Sequence, residues 1–201
     1  MNKIVIVSGS HRAHSESDRV ASFIAGRIKV LGAESEVISL SGNPLPLWDE
    51  GVWGGTEEWK SAFGPYAATL ATATGLVIVS PEWAGMVPPG LKNFLLLCGN
   101  EQVAHKPAMI VAVSSGIGGS YPVAELRSSS YKNNRILYIP DHVIVRNVNE
   151  MLKGDTPNGH HDESLRARID YSCKILLNYA SALGAVRNSE MVDYKSYPFG
   201  M

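Results

Sequence analysis

Three short stretches hold the residue types that could do chemistry. The first is SGSHRAHSESD, residues 8–18, where Ser8, Ser10, Ser15 and Ser17 surround Arg12, His11 and His14. Hydroxyls, a fixed positive charge and the free amides of a following helix start form a donor set that suits a phosphate monoester. The second is PEWAGMVPPG, residues 81–90. Gly85 and Gly90 let the main chain come close to a ligand, and Pro88 and Pro89 stiffen the loop. The third is SSGIGG, residues 114–119, whose glycines Gly116, Gly118 and Gly119 allow backbone amides near the edge of a flat ring. Each stretch also reads as ordinary chain: a Ser-rich turn with an N-cap, and two βα connections. Residue type and spacing alone leave both readings open.

The elements around these loops follow from hydrophobic periodicity. Unbroken apolar runs at 3–10, 77–79 and 105–115 read as strands covered on both faces of a parallel sheet, with shorter strands at 35–40 and 136–145, the last broken near Pro140. Helical spacing of Val20, Phe23, Ile24, Ile28 and Leu31 predicts a helix over 19–32, with Ser15, Ser17 and Asp18 as candidate N-caps. Further helices are predicted over 56–73, interrupted at Pro65, from Leu91 onward, within 116–133 with Val123, Leu126 and Tyr131 inward, and over 162–184. Five strands alternating with helices imply a parallel sheet with helices on both faces. The three loops then fall at the carboxyl ends of strands, where open α/β sheets bind ligands.

Composition narrows the function classes. The chain has 201 residues, 45% hydrophobic and 18% charged, with a formal net charge of -1. That length suits one domain spanning 1–201, with a tail at 185–201 lacking clear periodicity. The near-neutral charge gives no electrostatic footprint for nucleic acid or an anionic membrane. No apolar run reaches membrane-spanning length, and the first strand starts at Lys3, so a cytoplasmic location is expected. Cys98 and Cys173 lie in apolar helical patterns and read as reduced packing residues. The cluster His160, His161, Asp162, Glu163 reads as helix capping and solvated surface, so no metal is expected. The chain lacks the Walker lysine, the G-x-G-x-x-G fingerprint, a catalytic triad and a carboxylate pair.

The three loops together resemble the NADPH-dependent FMN reductases, a flavodoxin-like family with azoreductase and quinone-reductase relatives. Gly9, Ser10, Arg12 and Ser15 match the family's G-S-x-R-x-x-S. Pro81, Glu82, Pro88, Leu91, Lys92 and Asn93 match P-E-Y-N-x-S-x-P-G-x-L-K-N, with Trp83 for Tyr, Ala84 for Asn, Met86 for Ser and Pro89 for Gly. Gly116, Gly118, Gly119, Leu126 and Arg127 match a third segment, in which Tyr121 replaces an Arg and Pro122 an Ala. Leu45–Glu50 is similar to the family's LPLYDED segment.

The resemblance implies a flavodoxin-like three-layer sandwich with strand order 2-1-3-4-5. It implies FMN as cofactor, NADPH or NADH as co-substrate, and flavin, quinone or azo acceptors. Ser10, Arg12, Ser15 and Ser17 would hold the phosphate. Pro81, Glu82, Trp83, Ala84 and Gly85 would flank the ring on one side and Ser115, Gly116, Gly118 and Gly119 on the other. The chemistry would lie on flavin N5, with no catalytic side chain. A flavodoxin-type electron carrier, a sensor on the same fold and a relative that binds no flavin are the alternatives. Trp48, Trp53, Trp83 and Met86, apolar residues in loops beside the site, predict a homodimer or homotetramer.

Overall fold

The Val- and Ile-rich runs form five parallel strands in the computed structural model, which describes residues 1–200 and leaves Met201 outside the described residues. In chain order the elements are β1 (Lys3–Ser8), α1 (Glu16–Val30), β2 (Glu34–Ser39), α2 (Gly51–Gly54), α3 (Glu57–Thr72), β3 (Gly75–Pro81), α4 (Pro89–Leu97), α5 (Asn100–Val103), β4 (Pro107–Val113), α6 (Ser120–Ser128), β5 (Leu137–Val145), α7 (Gly159–Ala182) and α8 (Gly184–Arg187). The sheet order is β2-β1-β3-β4-β5, the flavodoxin-like order that the resemblance implied.

Alternation along the strands divides the core in two. Ile4, Ile6, Val77, Val79, Met109 and Val111 pack with Val20, Ile24 and Ile28 of α1 and Ile169, Cys173 and Leu176 of α7. Val5, Val7, Leu76, Ile78, Ala108 and Ile110 pack with Leu70 of α3, Leu91, Phe94 and Leu95 of α4 and Leu126 of α6. A side-chain period of two sends neighbours along each strand to opposite faces, so continuous apolar runs are needed to fill both layers. Each fully buried Val, Leu or Ile contributes about 1.5–3 kcal/mol.

Several boundaries differ from the sequence-based expectation. Helix α1 starts at Glu16 rather than at 19, because the Ser15 side chain accepts from the Asp18 amide and caps it. Pro65 does not interrupt α3: it is exposed, and its missing amide bond falls on the solvent side. Strand β5 continues through Pro140, which lies on the edge strand at a register irregularity opposite Ala108 and Ile110. Tyr131, expected inward, is exposed, while Val123 and Leu126 are buried. The tail beyond α8 is tied down by Arg135, whose guanidinium donates to the carbonyls of Tyr197 (2.5 Å) and Phe199 (2.7 Å) and to Asn100 Oδ1 (2.8 Å).

Asp162, drawn from the His-rich cluster, is fully buried and organises the connection from β5 to α7. It accepts from the amides of Leu152 (2.7 Å) and Asn158 (2.9 Å) and from Arg166 Nε (3.0 Å). Burial works to raise its pKa, but the two amides and the guanidinium outweigh it and hold the carboxyl below its ordinary value. Asp162→Ala strands two amides and a cation, so it should cost about 3 kcal/mol at neutral pH. A depressed folded-state pKa stabilises above the unfolded value and is lost as pH falls through the folded one. In urea unfolding, the wild-type advantage should therefore be full at neutral pH and shrink below about pH 4.

Candidate functional site

The order reversal between β1 and β3 sets the site. Ser8, the last residue of β1, pairs with Val79, two residues before β3 ends at Pro81, and the crossovers of the two strands leave toward opposite edges of the sheet. The loop after β1 turns at Gly9, whose amide donates to Val79 O at 2.8 Å. A Cβ there would lie 2.5 Å from Leu91 Cδ2 and 2.9 Å from Val79 O, so only glycine lets the loop pass over α4.

Beyond Gly9, Ser10 is buried and its Oγ accepts from the Arg12 amide at 3.3 Å. Ser17 is buried in the first turn of α1, where the leading amides lack intrahelical acceptors. Arg12 is exposed, and its guanidinium makes no hydrogen bond or ion pair with another described residue. Ser15 does two jobs as the cap: it also donates to Asp18 Oδ2 at 2.9 Å. Two polar atoms here, Ser8 Oγ and His11 Nδ1, are buried without a partner, a deficit that a bound polar group or water corrects. Hydroxyls, amides and an unpaired guanidinium are the donor set of a phosphate dianion.

The loop after β3 is a two-residue hairpin. Trp83 and Met86 exchange backbone hydrogen bonds of 3.1 and 2.9 Å around Ala84 and Gly85, whose φ values are 49° and 71°. Two successive positive φ values define a type I′ turn, the geometry that favours Asn-Gly. The Asn-to-Ala departure at position 84 thus keeps a left-handed residue but removes the side-chain amide that makes this conformation tolerable for asparagine. The Trp83 ring meets the His11 ring edge-on, with centroids 4.6 Å apart, joining this hairpin to the first loop.

Glu82 does not reach into the crevice with its carboxylate. Its Oε2 accepts from the amides of Gly119 (2.7 Å) and Tyr121 (3.3 Å), capping the start of α6, while its own amide donates to Val113 O. Gly118 is packed so closely that a Cβ would lie 2.6 Å from Glu82 Oε1. The amides of Ala84, Gly85, Ser115 and Gly118 make no hydrogen bond to another described residue and remain for a ligand. Ile117 is 83% and Tyr121 67% exposed; with Met86 they give these two loops an exposed apolar edge. Pro81 and Gly116 hold backbone positions: Pro81 pairs with Val113, and Gly116 accepts from the Asn147 amide.

The signature's remaining residues position loops. Asn93 accepts from the Trp48 amide (2.8 Å) and donates to Pro46 O (2.7 Å), so α4 clamps the 45–50 segment. Lys92 pairs with Glu125 of α6, and Glu125 also accepts from the Val87 amide at 2.7 Å. Burial works against the Glu125 carboxylate, but Lys92 and that amide hold it below its ordinary pKa. Sequence reasoning missed Glu125, His11 as an aromatic partner, and Arg146, whose Nε donates to Ile117 O (2.7 Å) and Gly118 O (3.1 Å). Nothing in local spacing marks a contact made across 28 or 29 residues.

A doubly wound parallel sheet of order β2-β1-β3-β4-β5, with hydroxyls, free amides and an unpaired guanidinium gathered at its switch point, is the architecture of the flavodoxin-like class. Residues 2–150 match the model of the NADPH-dependent FMN reductase family, and the chain belongs to it. It is an oxidoreductase that works with FMN and NADPH. It is 26% identical over 145 residues to the NADPH azoreductase of Bacillus sp. (strain OY1-2), covering 71% of this chain and 76% of that one. It is 26% identical over 126 residues to the FMN-dependent NADPH-azoreductase of Staphylococcus haemolyticus (strain JCSC1435), covering 62% and 67%. Among solved structures, the flavoenzyme NAD(P)H:(acceptor) oxidoreductase FerB from Paracoccus denitrificans superposes with a TM-score of 0.72 at 15% identity, over 90% of this chain and 98% of that one. An oxidoreductase from Corynebacterium diphtheriae gives 0.67 at 14% identity, over 90% and 98%.

Ala84→Asn should relieve the turn. A left-handed alanine is disfavoured by roughly 1 kcal/mol and asparagine by less, so the variant should gain about 0.5–1 kcal/mol. A higher urea midpoint at unchanged slope is the expected result. An unchanged midpoint would show that the turn carries no strain at this residue.

Proposed function

We propose that the chain binds FMN across the crevice between β1 and β3, accepts reducing equivalents from NAD(P)H, and delivers them to flat acceptors such as free flavin, quinones or azo compounds. The observation that carries this reading is the unpaired Arg12 guanidinium beside the capped start of α1, on the same sheet edge as the two ring-side loops. Ser10, Arg12, Ser15 and Ser17 hold the phosphate, Ser15 through its backbone because its hydroxyl serves the cap. The amides of Ala84 and Gly85 meet one side of the ring and those of Ser115 and Gly118 the other, while Pro81, Glu82, Trp83, Gly116 and Gly119 fix the two loops. Bound there, FMN supplies the two-electron centre, and the protein supplies position and electrostatics. The apolar rim of Met86, Ile117 and Tyr121 favours a flat, uncharged acceptor, in keeping with the azoreductases among the relatives.

Arg12→Ala separates phosphate binding from chemistry. Each charge-assisted hydrogen bond contributes about 1.5–3 kcal/mol, so FMN affinity should fall roughly tenfold to a hundredfold. Riboflavin, which has no phosphate, should bind as before, and turnover at saturating FMN should match wild type. Equal losses for FMN and riboflavin would make Arg12 structural.

The reading includes a homodimer or homotetramer and a cytoplasmic setting, which two buried, free cysteines suit. Of the aromatic residues expected at an interface, Trp48 packs on the core and Trp83 on His11, but Trp53 is 79% exposed. Trp53 borders a groove of about 680 Å³ lined also by Leu95, Leu96, Leu126 and Phe199. Exposed apolar surface of this kind favours self-association. Sedimentation at micromolar concentration should give at least twice the mass of one 21.7 kDa chain, and a monomer would rule the assembly out.

A further inference from the structure

The arginines of this chain divide cleanly by what their guanidinium ends do. Among the described residues, every arginine except Arg12 and Arg146 places a terminal nitrogen on a carbonyl or carboxylate oxygen; Arg19 on Val148 and Leu152, Arg27 on Asp170 and Arg166 on Lys153 and Gly154 are examples. Both exceptions lie at the carboxyl edge of the sheet, Arg12 after β1 and Arg146 directly after β5. From β1 to β5 the sheet order spans three strand spacings, roughly 14 Å at about 4.8 Å each, so they stand on opposite sides of the ring loops.

Arg146 is exposed but not loose. Its Nε is shared between Ile117 O and Gly118 O, which fixes the side chain against the loop after β4 and leaves both terminal nitrogens without an acceptor among the described residues. A guanidinium held in this way loses little rotamer freedom when it takes an oxyanion in its fork. Two further backbone bonds, Asn147 N to Gly116 O (2.9 Å) and Val148 N to Ser114 O (3.1 Å), make the 114–118 and 146–148 segments one unit.

Other cations on this edge are otherwise engaged or displaced. Lys92 is paired with Glu125, and Arg127 donates to the carbonyls of Ile139 and Pro140. Lys153 lies seven residues further on, where Arg19 and Arg166 tie the chain to α1 and α7. The loop after β2, residues 40–50, has neither lysine nor arginine.

A pyridine dinucleotide brings phosphates of its own, and the flavin phosphate already claims Arg12. We propose that Arg146 is the phosphate anchor for the pyridine nucleotide, on the β5 side of the crevice. The inference rests on the oxidoreductase reading above and adds to it the residue that recognises the co-substrate.

The test is direct binding. NADP+ and NAD+ are titrated calorimetrically into FMN-saturated protein, and 2′,5′-ADP into protein without flavin, for wild type, Arg146→Gln and Arg146→Lys. Loss of a charge-assisted contact should weaken NADP+ and 2′,5′-ADP about tenfold to a hundredfold in Arg146→Gln, with FMN affinity unchanged. Arg146→Lys, which keeps the charge, should lose less. In steady state the KM for NADPH should rise while kcat holds. A loss confined to NADP+ places the 2′-phosphate on Arg146, and an equal loss for NAD+ places the pyrophosphate there; either supports the anchor. Unchanged nucleotide affinity overturns it. So do equal losses in the Gln and Lys variants accompanied by weaker FMN, because Arg146 would then only brace the loop. A wild type that failed to oxidise NADPH would count against the oxidoreductase reading, and the NADP+ titrations would still decide the anchor.

Discussion

The pairing of β1 with β3 is the constraint from which the site follows. These strands are neighbours in the sheet but not in the chain, and they run parallel in register, Ser8 beside Val79. A parallel pair needs a long crossover. The chain leaves β1 through α1 to β2 on one edge, and leaves β3 through α4 to β4 on the other. Two loops departing in opposite directions cannot fill the space between them, so a crevice is obligatory, and it opens beside the unfilled amides of a helix start. The donor-rich residues 8–18 lie at that gap.

Fixing the loops on either side of the gap uses polar contacts that look functional in sequence. Glu82 is the clearest case: its carboxylate caps α6 through Gly119 and Tyr121, so an acidic residue in the middle of the site contributes by geometry. Asn93 and Lys92 act similarly, one clamping the 46–48 segment and the other pairing with Glu125. With these side chains committed, the loops after β3 and β4 keep mainly free backbone amides and the exposed apolar side chains of Met86, Ile117 and Tyr121. That arrangement suits a cofactor that brings its own reactivity.

Much of this was legible in the sequence, and for definite reasons. Continuous apolar runs such as Ile4–Val7 have few solutions other than a strand covered on both faces, and the strand order followed from the resemblance. Phosphate-type donors in 8–18 were visible because they are local. Boundaries were less legible: Pro65 and Pro140 punctuate a sequence strongly, yet at exposed and edge positions they interrupt little. Least legible were contacts that the topology makes, such as Glu125 with Val87 and Arg146 with Ile117, because no local pattern encodes a partner far along the chain.

The left-handed Ala84 shows how loop geometry and local preference come apart. A type I′ turn is imposed from outside: Trp83 is held against His11, Val87 is held by Glu125, and the two-residue reversal at Ala84 and Gly85 brings Met86 back beside Trp83 to join them. The alanine adopts a conformation that its Cβ opposes, because the contacts fixing Trp83 and Val87 together outweigh a penalty of about 1 kcal/mol. What the turn gains is closeness. Gly85 next to it has no Cβ, and a Cβ at that position would lie in van der Waals contact with the Tyr121 ring at 3.8 Å, so the hairpin and the start of α6 pack directly on each other. The spacing of the two loops is therefore set by Glu82 and Glu125, two carboxylates committed to the amides of Gly119, Tyr121 and Val87, and a change to either would move the loops relative to each other before it altered any side chain exposed on them.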